Sequence, residues 1–223
     1  APRKSLLYDC STRILRDVLA VVRTEFPVEV ETIDPLWIVL ADGTRIATTL
    51  WRPLTDSKVP VVVEMIPYRR RDGTAPRDMD MAPWFAGHGV AYCRVDIRGA
   101  GDSGGDLADE YLPREQEDAV EIIAFLAAQI WCNGNVGMTG ISWGGFNSLQ
   151  VAARRPPALK ALITICASDD RYADDVHYRG GAVLANDMLP WASMTFMLNG
   201  LPPDPAVAGP NWRTTWHERL QNT

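Results

Sequence analysis

The residues best suited to chemistry stand at Gly140-Ile141-Ser142-Trp143-Gly144, with a further glycine at Gly145. Gly-x-Ser-x-Gly is the pattern of a nucleophile elbow, a tight turn that carries a serine from a strand into a helix. Small residues on both sides let the backbone fold back without clashes, and the turn holds the hydroxyl out where it can attack an acyl carbonyl. Five residues of this kind also occur by chance, so their surroundings decide. Val136-Gly137-Met138-Thr139 ahead of them is a short apolar run suited to a buried strand. Residues 146–153 behind them are helix-prone and end at Pro156-Pro157. The competing reading is a glycine-rich loop whose serine caps the helix.

A second glycine motif, Gly99-Ala100-Gly101-Asp102-Ser103-Gly104, matches the Gly-x-Gly-x-x-Gly pattern of dinucleotide sites. That chemistry needs a helix to begin among the glycines, so that its N-terminus meets the pyrophosphate. Here Asp106, Asp109 and Glu110 follow instead, and helix-like sequence resumes only after Pro113. The motif predicts a structural loop beside the elbow. Cys10, Cys93, Cys132 and Cys166 lack the paired spacing of a zinc site or redox pair. Cys93 and Cys166 lie in apolar strand-like runs, where cysteine packs as a small hydrophobe and a reducing compartment is expected. Arg69-Arg70-Arg71, followed by Asp72, reads as a solvated or locally paired loop.

The elements that position the serine follow from periodicity. Residues 5–22 carry Leu7, Ile14, Val18 and Val21 at helical spacing and predict an amphipathic helix outside the main fold. Residues 36–40 and 45–51 predict a hairpin turning at Asp42-Gly43. Residues 59–66 and 90–96 predict strands, with a short helix over 79–85 that contains Pro83. In the helix expected over 115–129, Ala119, Ile122, Ile123, Leu126 and Ile130 form one face, while Glu115, Glu117, Asp118 and Glu121 decorate its start. Residues 159–166 read as one more buried strand. Strand and helix thus alternate after a hairpin, which implies an α/β fold: a mostly parallel sheet with helices on both faces and the serine turn after the fifth strand.

Size and charge bound the rest. A chain of 223 residues can bury one good-sized core. Its formal net charge of −6 and lack of a Lys/Arg stripe argue against nucleic acid and anionic membrane as partners. No stretch has the length of a membrane span or an uninterrupted signal core, and the default location is the cytoplasm. The expected organisation is an N-terminal arm over 1–26, a core over 27–170, and the beginning of a helical cap over 171–223, where the sequence turns rich in Trp, Met, Pro and Gly.

Four ordered motifs carry a family resemblance: Pro67-Tyr68 with Arg70; Asp96-Ile97-Arg98-Gly99-x-Gly101-x-Ser103-x-Gly105; Trp131-Cys132-Asn133-Gly134-x-Val136-Gly137; and the elbow itself. Together they resemble the cocaine esterase / X-Pro dipeptidyl-peptidase family of serine hydrolases, which also includes α-amino-acid ester hydrolases and glutaryl-cephalosporin acylases. The resemblance spans residues 36–220 and implies an α/β-hydrolase core, a helical cap and a C-terminal jelly roll. It implies acyl transfer on esters, amides or short peptides without metal or cofactor. It makes Ser142 the nucleophile, the Trp143 N–H one oxyanion donor and the Tyr68 hydroxyl the second. The alternative for Tyr68 is packing at a strand end. Asp96 and Arg98 look like scaffold, since in this fold the acid follows the serine.

The family's catalytic acid and histidine have no matching positions, so a fragment or shortened product of a longer hydrolase is expected. His88 reads as a turn residue, His177 as a structural or pocket-lining residue, and His217 as a surface residue of a cap helix. An in-chain triad of Ser142, Asp169 or Asp170, and His217 has the correct order but no supporting motif. Two functions follow: a serine acyl hydrolase of small-molecule ester, amide or short peptide substrates, and a non-catalytic binding module on the same fold. Apolar surface where later strands would pair predicts self-association into a homo-oligomer.

Overall fold

A computed structural model describes residues 26–222. The helix expected over 5–22 lies outside the described residues, as does Cys10. The expected hairpin forms from β1 (Val30–Val39) and β2 (Arg45–Pro53), closed at Gly43 with a positive φ of 86°. It is followed by β3 (Val59–Ile66), α1 (Ala75–Gly87), β4 (Ala91–Asp96), α2 (Pro113–Ala127), β5 (Cys132–Ile141), α3 (Trp143–Ala153) and β6 (Leu159–Ile165). The six strands form one sheet in the order β1-β2-β4-β3-β5-β6. β1 and β2 are antiparallel to their neighbours, while β4, β3, β5 and β6 run parallel.

Helices cover both faces, as the near-continuous apolar runs of β3 and β4 require. On one face Ala82 and Ala86 of α1 pack against Trp51 and Tyr92. On the other, Ala119, Ile122, Ile123 and Leu126 of α2 and Trp143, Phe146 and Val151 of α3 meet Val61, Val63, Met65 and Val95.

Four local expectations need correction. β6 is not buried: it is the outer strand of the sheet, and Ile163 is 52% exposed. Cys166, just past it, is exposed as well. Ile130 does not share the apolar face of α2, because the helix ends at Ala127 and Ile130 is 86% exposed. Glu115 and Asp118, read as surface acids of the first turn, are buried, since α2 enters the core near its N-terminus. The arginine run is paired, as one of its two readings had it: Arg69 meets Asp72 at 2.6 Å, Arg71 stays exposed, and the side chain of Arg70 is fully buried, 3.0 Å from Asp102 and 3.4 Å from Asp96, and also meets Asp34.

After β6 the chain forms a two-residue hairpin, β7 (Tyr178–Arg179) and β8 (Ala182–Val183), then α4 (Ala185–Gly200), α5 (Pro205–Ala208) and α6 (Trp212–Asn222). This segment is tied down at several points. Arg69 donates to the carbonyls of Leu201 (3.3 Å) and Pro202 (2.9 Å), and the Asp204 N–H donates to Asp102 at 2.8 Å. Arg219 of α6 donates to the Gly101 carbonyl at 3.0 Å. Among the described residues no helix is long and apolar enough to cross a membrane.

Candidate active site

Ser142 sits at the turn from β5 into α3 with φ 56° and ψ −113°, a conformation that side chains rarely adopt. The turn closes through the Ser142 carbonyl, which accepts from the N–H groups of Gly145 (2.8 Å) and Phe146 (3.0 Å). The Ser142 N–H donates to the Ile165 carbonyl at 2.9 Å, so the outer strand anchors the bend. Glycine is obligatory here for space: a Cβ at Gly140 would overlap the backbone of Gly144, and one at Gly145 would lie 2.7 Å from the Ala167 side chain. The small residues therefore let strand and helix nearly touch, leaving the serine half-exposed at the crest.

Tyr68 follows the end of β3, the strand next to β5. Its ring stands edge-on to Trp191 of α4, with centroids 5.9 Å apart. Its hydroxyl faces the Ser142 side chain and the Trp143 N–H, near enough for both to act on its titration. Burial pushes this phenol up to about 12, against the opposing pull of those two polar groups, so it stays protonated and able to donate at neutral pH. The three residues singled out in the sequence thus meet at one point. An oxygen developing negative charge there would find an O–H and an N–H held in place beforehand.

Behind this point lies a buried polar cluster. The indole N–H of Trp143 donates to Glu115 at 2.9 Å, and the Asn147 amide donates to the same oxygen at 3.0 Å. That amide also donates to the Met65 carbonyl of β3 at 2.7 Å. Burial holds the Glu115 carboxyl above its usual range, opposed by the bonds from Trp143 and Asn147.

One cavity opens on the serine and another on its neighbour Trp143. The latter, of about 380 Å³, lies on the Trp143 side between Leu107, Met188, Trp191, Phe196 and the polar pair Glu110 and His177. The other, wider one, of about 790 Å³, is lined by Ser142, Phe146, Cys166, Asp169 and Asp175. Glu110 accepts from the Trp191 indole at 3.1 Å and meets His177 Nε2 at 2.9 Å. His177 therefore lines the cavity and is also held by hydrogen bonds, including one to Arg171 at 2.9 Å.

The other histidines sit elsewhere. His88 ends α1, its Nδ1 2.7 Å from the Trp84 carbonyl. His217 lies on exposed α6 against Gln221, and no hydrogen bond joins it to Ser142, Asp169 or Asp170 among the described residues. Asp170 instead accepts the N–H groups of Tyr172 and Ala173, both at 3.1 Å. The Gly99–Gly105 loop is closed on itself around Asp96. That carboxylate accepts the N–H of Arg70 (2.7 Å) and of Asp102 (3.2 Å), and a Cβ at Gly101 would overlap it. Since α2 starts only at Pro113, no helix N-terminus faces these glycines as a dinucleotide would need. Arg98 holds Asp118 through two bonds of 2.7 and 2.8 Å.

Glu110, Glu115, Asn147 and Trp191 were not singled out as site residues in the sequence. Only Glu115 left a trace, because a buried tryptophan at the elbow must find an acceptor for its indole N–H.

A mixed sheet entered through an antiparallel hairpin, with a serine elbow after its fifth strand and helices on both faces, defines an α/β-hydrolase. Residues 42–223 match the X-Pro dipeptidyl-peptidase (S15) family, and the chain belongs to that family. It is 33% identical over 159 residues to the cocaine esterase of Rhodococcus sp. (strain MB1 Bresler), covering 70% of this chain and 27% of that protein. A crystal structure of a CocE/NonD family hydrolase from Staphylococcus aureus superposes with a TM-score of 0.66 at 26% identity, over 76% of this chain and 33% of that one. An aminopeptidase from the marine sediment archaeon Thaumarchaeota archaeon shares the fold, with a TM-score of 0.58 at 21% identity over 75% of this chain and 30% of that one. The chain thus spans about a quarter of the length of the cocaine esterase it matches.

Proposed function

We propose that this chain carries the nucleophile and the oxyanion hole of a serine acyl hydrolase acting on esters or amides of small molecules, or on short peptides. The reading rests on one observation: Ser142, strained at φ 56°, shares a point with the Tyr68 hydroxyl and the Trp143 N–H.

In the proposed reaction Ser142 Oγ attacks the acyl carbonyl carbon, and its proton passes to a histidine base. The former carbonyl oxygen takes the negative charge and is held by the Tyr68 O–H and the Trp143 N–H. The C–O or C–N bond to the leaving group then breaks, the base returns the proton to that group, and water releases the acyl chain from Ser142. An apolar acyl group fits the cavity walled by Trp191, Met188 and Phe196. The base and its acid belong, in this proposal, to sequence outside the described residues, since His88, His177 and His217 bond elsewhere.

A fluorophosphonate probe tests this. Stoichiometric labelling of the full-length protein, mapped by mass spectrometry to Ser142 and lost in Ser142→Ala, is the expected result. Absence of labelling at Ser142 in both the full-length protein and this chain would remove the hydrolase reading. It would favour a second one, a binding module, which the engagement of all three histidines away from Ser142 favours.

A further inference from the structure

Glu115 is a buried carboxylate, yet it lines neither cavity near Ser142. Its Oε1 receives two N–H groups from α3: the Trp143 indole at 2.9 Å and the Asn147 amide at 3.0 Å. Asn147 bridges onward to the Met65 carbonyl of β3, three residues before Tyr68. Tyr111, held at a positive φ of 57° in the loop before α2, packs its ring on Trp143 with centroids 4.8 Å apart. One carboxylate therefore joins α2 to the start of α3 and, through Asn147, to the strand that leads into Tyr68.

The geometry points to Glu115 as a positioning residue that sets the Trp143 N–H against the Tyr68 hydroxyl, and so fixes the separation of the two oxyanion donors. This inference rests on the proposal that Tyr68 and Trp143 form that hole. The physical reason is that the Trp143 indole is 1% exposed and has no access to water in place of Glu115. Without the carboxylate, an unpaired buried N–H drives the ring, and the backbone N–H on the same residue, toward another acceptor. A displacement of about 1 Å at such a donor lowers rates by about 100-fold. A glutamine can still present one oxygen to both N–H groups.

The test uses the full-length protein with an activated ester substrate and an alkylboronic acid, which adds to the serine as a tetrahedral anion. Glu115→Leu and Trp143→Phe, the latter removing the indole N–H together with part of the ring, are each expected to lower kcat about 10- to 100-fold with little change in KM. Boronate affinity should fall in parallel, and Glu115→Gln should recover most of both. Tyr68→Phe serves as the control. If it lowers kcat while Trp143→Phe and Glu115→Leu, both folded by thermal melt, do not, the oxyanion hole stands and the positioning role is overturned. If Tyr68→Phe has no effect, the hole itself fails. If Glu115→Leu does not fold, Trp143→Phe and Glu115→Gln decide alone. A rise in KM with unchanged kcat, or a glutamine variant as slow as Trp143→Phe, would also overturn the role.

Discussion

Replacing Tyr68 by phenylalanine separates catalysis from packing at this site. The ring stays, and with it the edge-on contact to Trp191; only the hydroxyl is lost. That hydroxyl is one of two donors at the proposed hole, the Trp143 N–H being the other. Loss of one such donor lowers acyl-transfer rates about 100- to 1,000-fold, or about 2.7–4 kcal/mol of transition-state stabilisation. Stability should change far less, by about 1 kcal/mol, because the group lost is one hydroxyl beside a half-exposed serine. The two quantities are read separately: acylation by an activated ester in stopped flow, and unfolding in urea. Wild type should also keep its acylation rate through pH 10, because burial holds the phenol protonated up to about 12. A Tyr68→Phe protein that acylates within about tenfold of wild type would refute the donor role. So would a wild-type rate that falls with a midpoint near the ordinary tyrosine value of about 10.

Other outcomes follow from the same geometry. Ser142→Gly relieves a strained φ worth about 1–3 kcal/mol, partly offset by about 0.4–1 kcal/mol from the freer unfolded chain. Its urea midpoint should therefore rise while phosphonate labelling disappears; a lower midpoint would mean the turn is not strained. Arg70→Ala removes the guanidinium paired with the buried carboxylates of Asp96 and Asp102 and should destabilise the fold by about 3–5 kcal/mol at pH 7. An unchanged denaturation midpoint would show that the cluster contributes nothing. Glu115 has a raised folded-state pKa through burial, so its contribution is present below the unfolded carboxylate value and is lost as pH rises through the folded one. The stability of Glu115→Gln relative to wild type should accordingly grow from pH 5 to pH 8, and a difference that is flat with pH would count against burial as the cause.

Much of this architecture was legible because its signals are local. β3 runs from Val59 to Ile66, as its apolar run indicated, and the Asp42-Gly43 turn closes the hairpin. The serine turn is written in its neighbours, since only glycine at position 140 lets β5 and α3 pass so closely. What misled were residues whose surroundings are made by distant chain. Leu159–Ile165 has the composition of a buried strand, but burial depends on what lies beside it, and β6 is the outer strand of this sheet. Arg70 read as part of a solvated or locally paired loop and Glu115 as an acid at a helix start, because charge usually signals surface. Asp34, Asp96 and Asp102 surround the first, and Trp143 and Asn147 hold the second.

The amino-acid sequence by itself determined the order of strands and helices and the residue that crests the elbow, because hydrophobic period and glycine placement act within a few neighbours. Only the tertiary structure decided that Tyr68, 74 positions before Ser142, reaches the same point as the Trp143 N–H. It likewise placed Trp191 and Glu110 as the walls of the adjoining cavity. Such meetings depend on sheet order and on how a later helix docks, and the intervening residues carry no local signal of either.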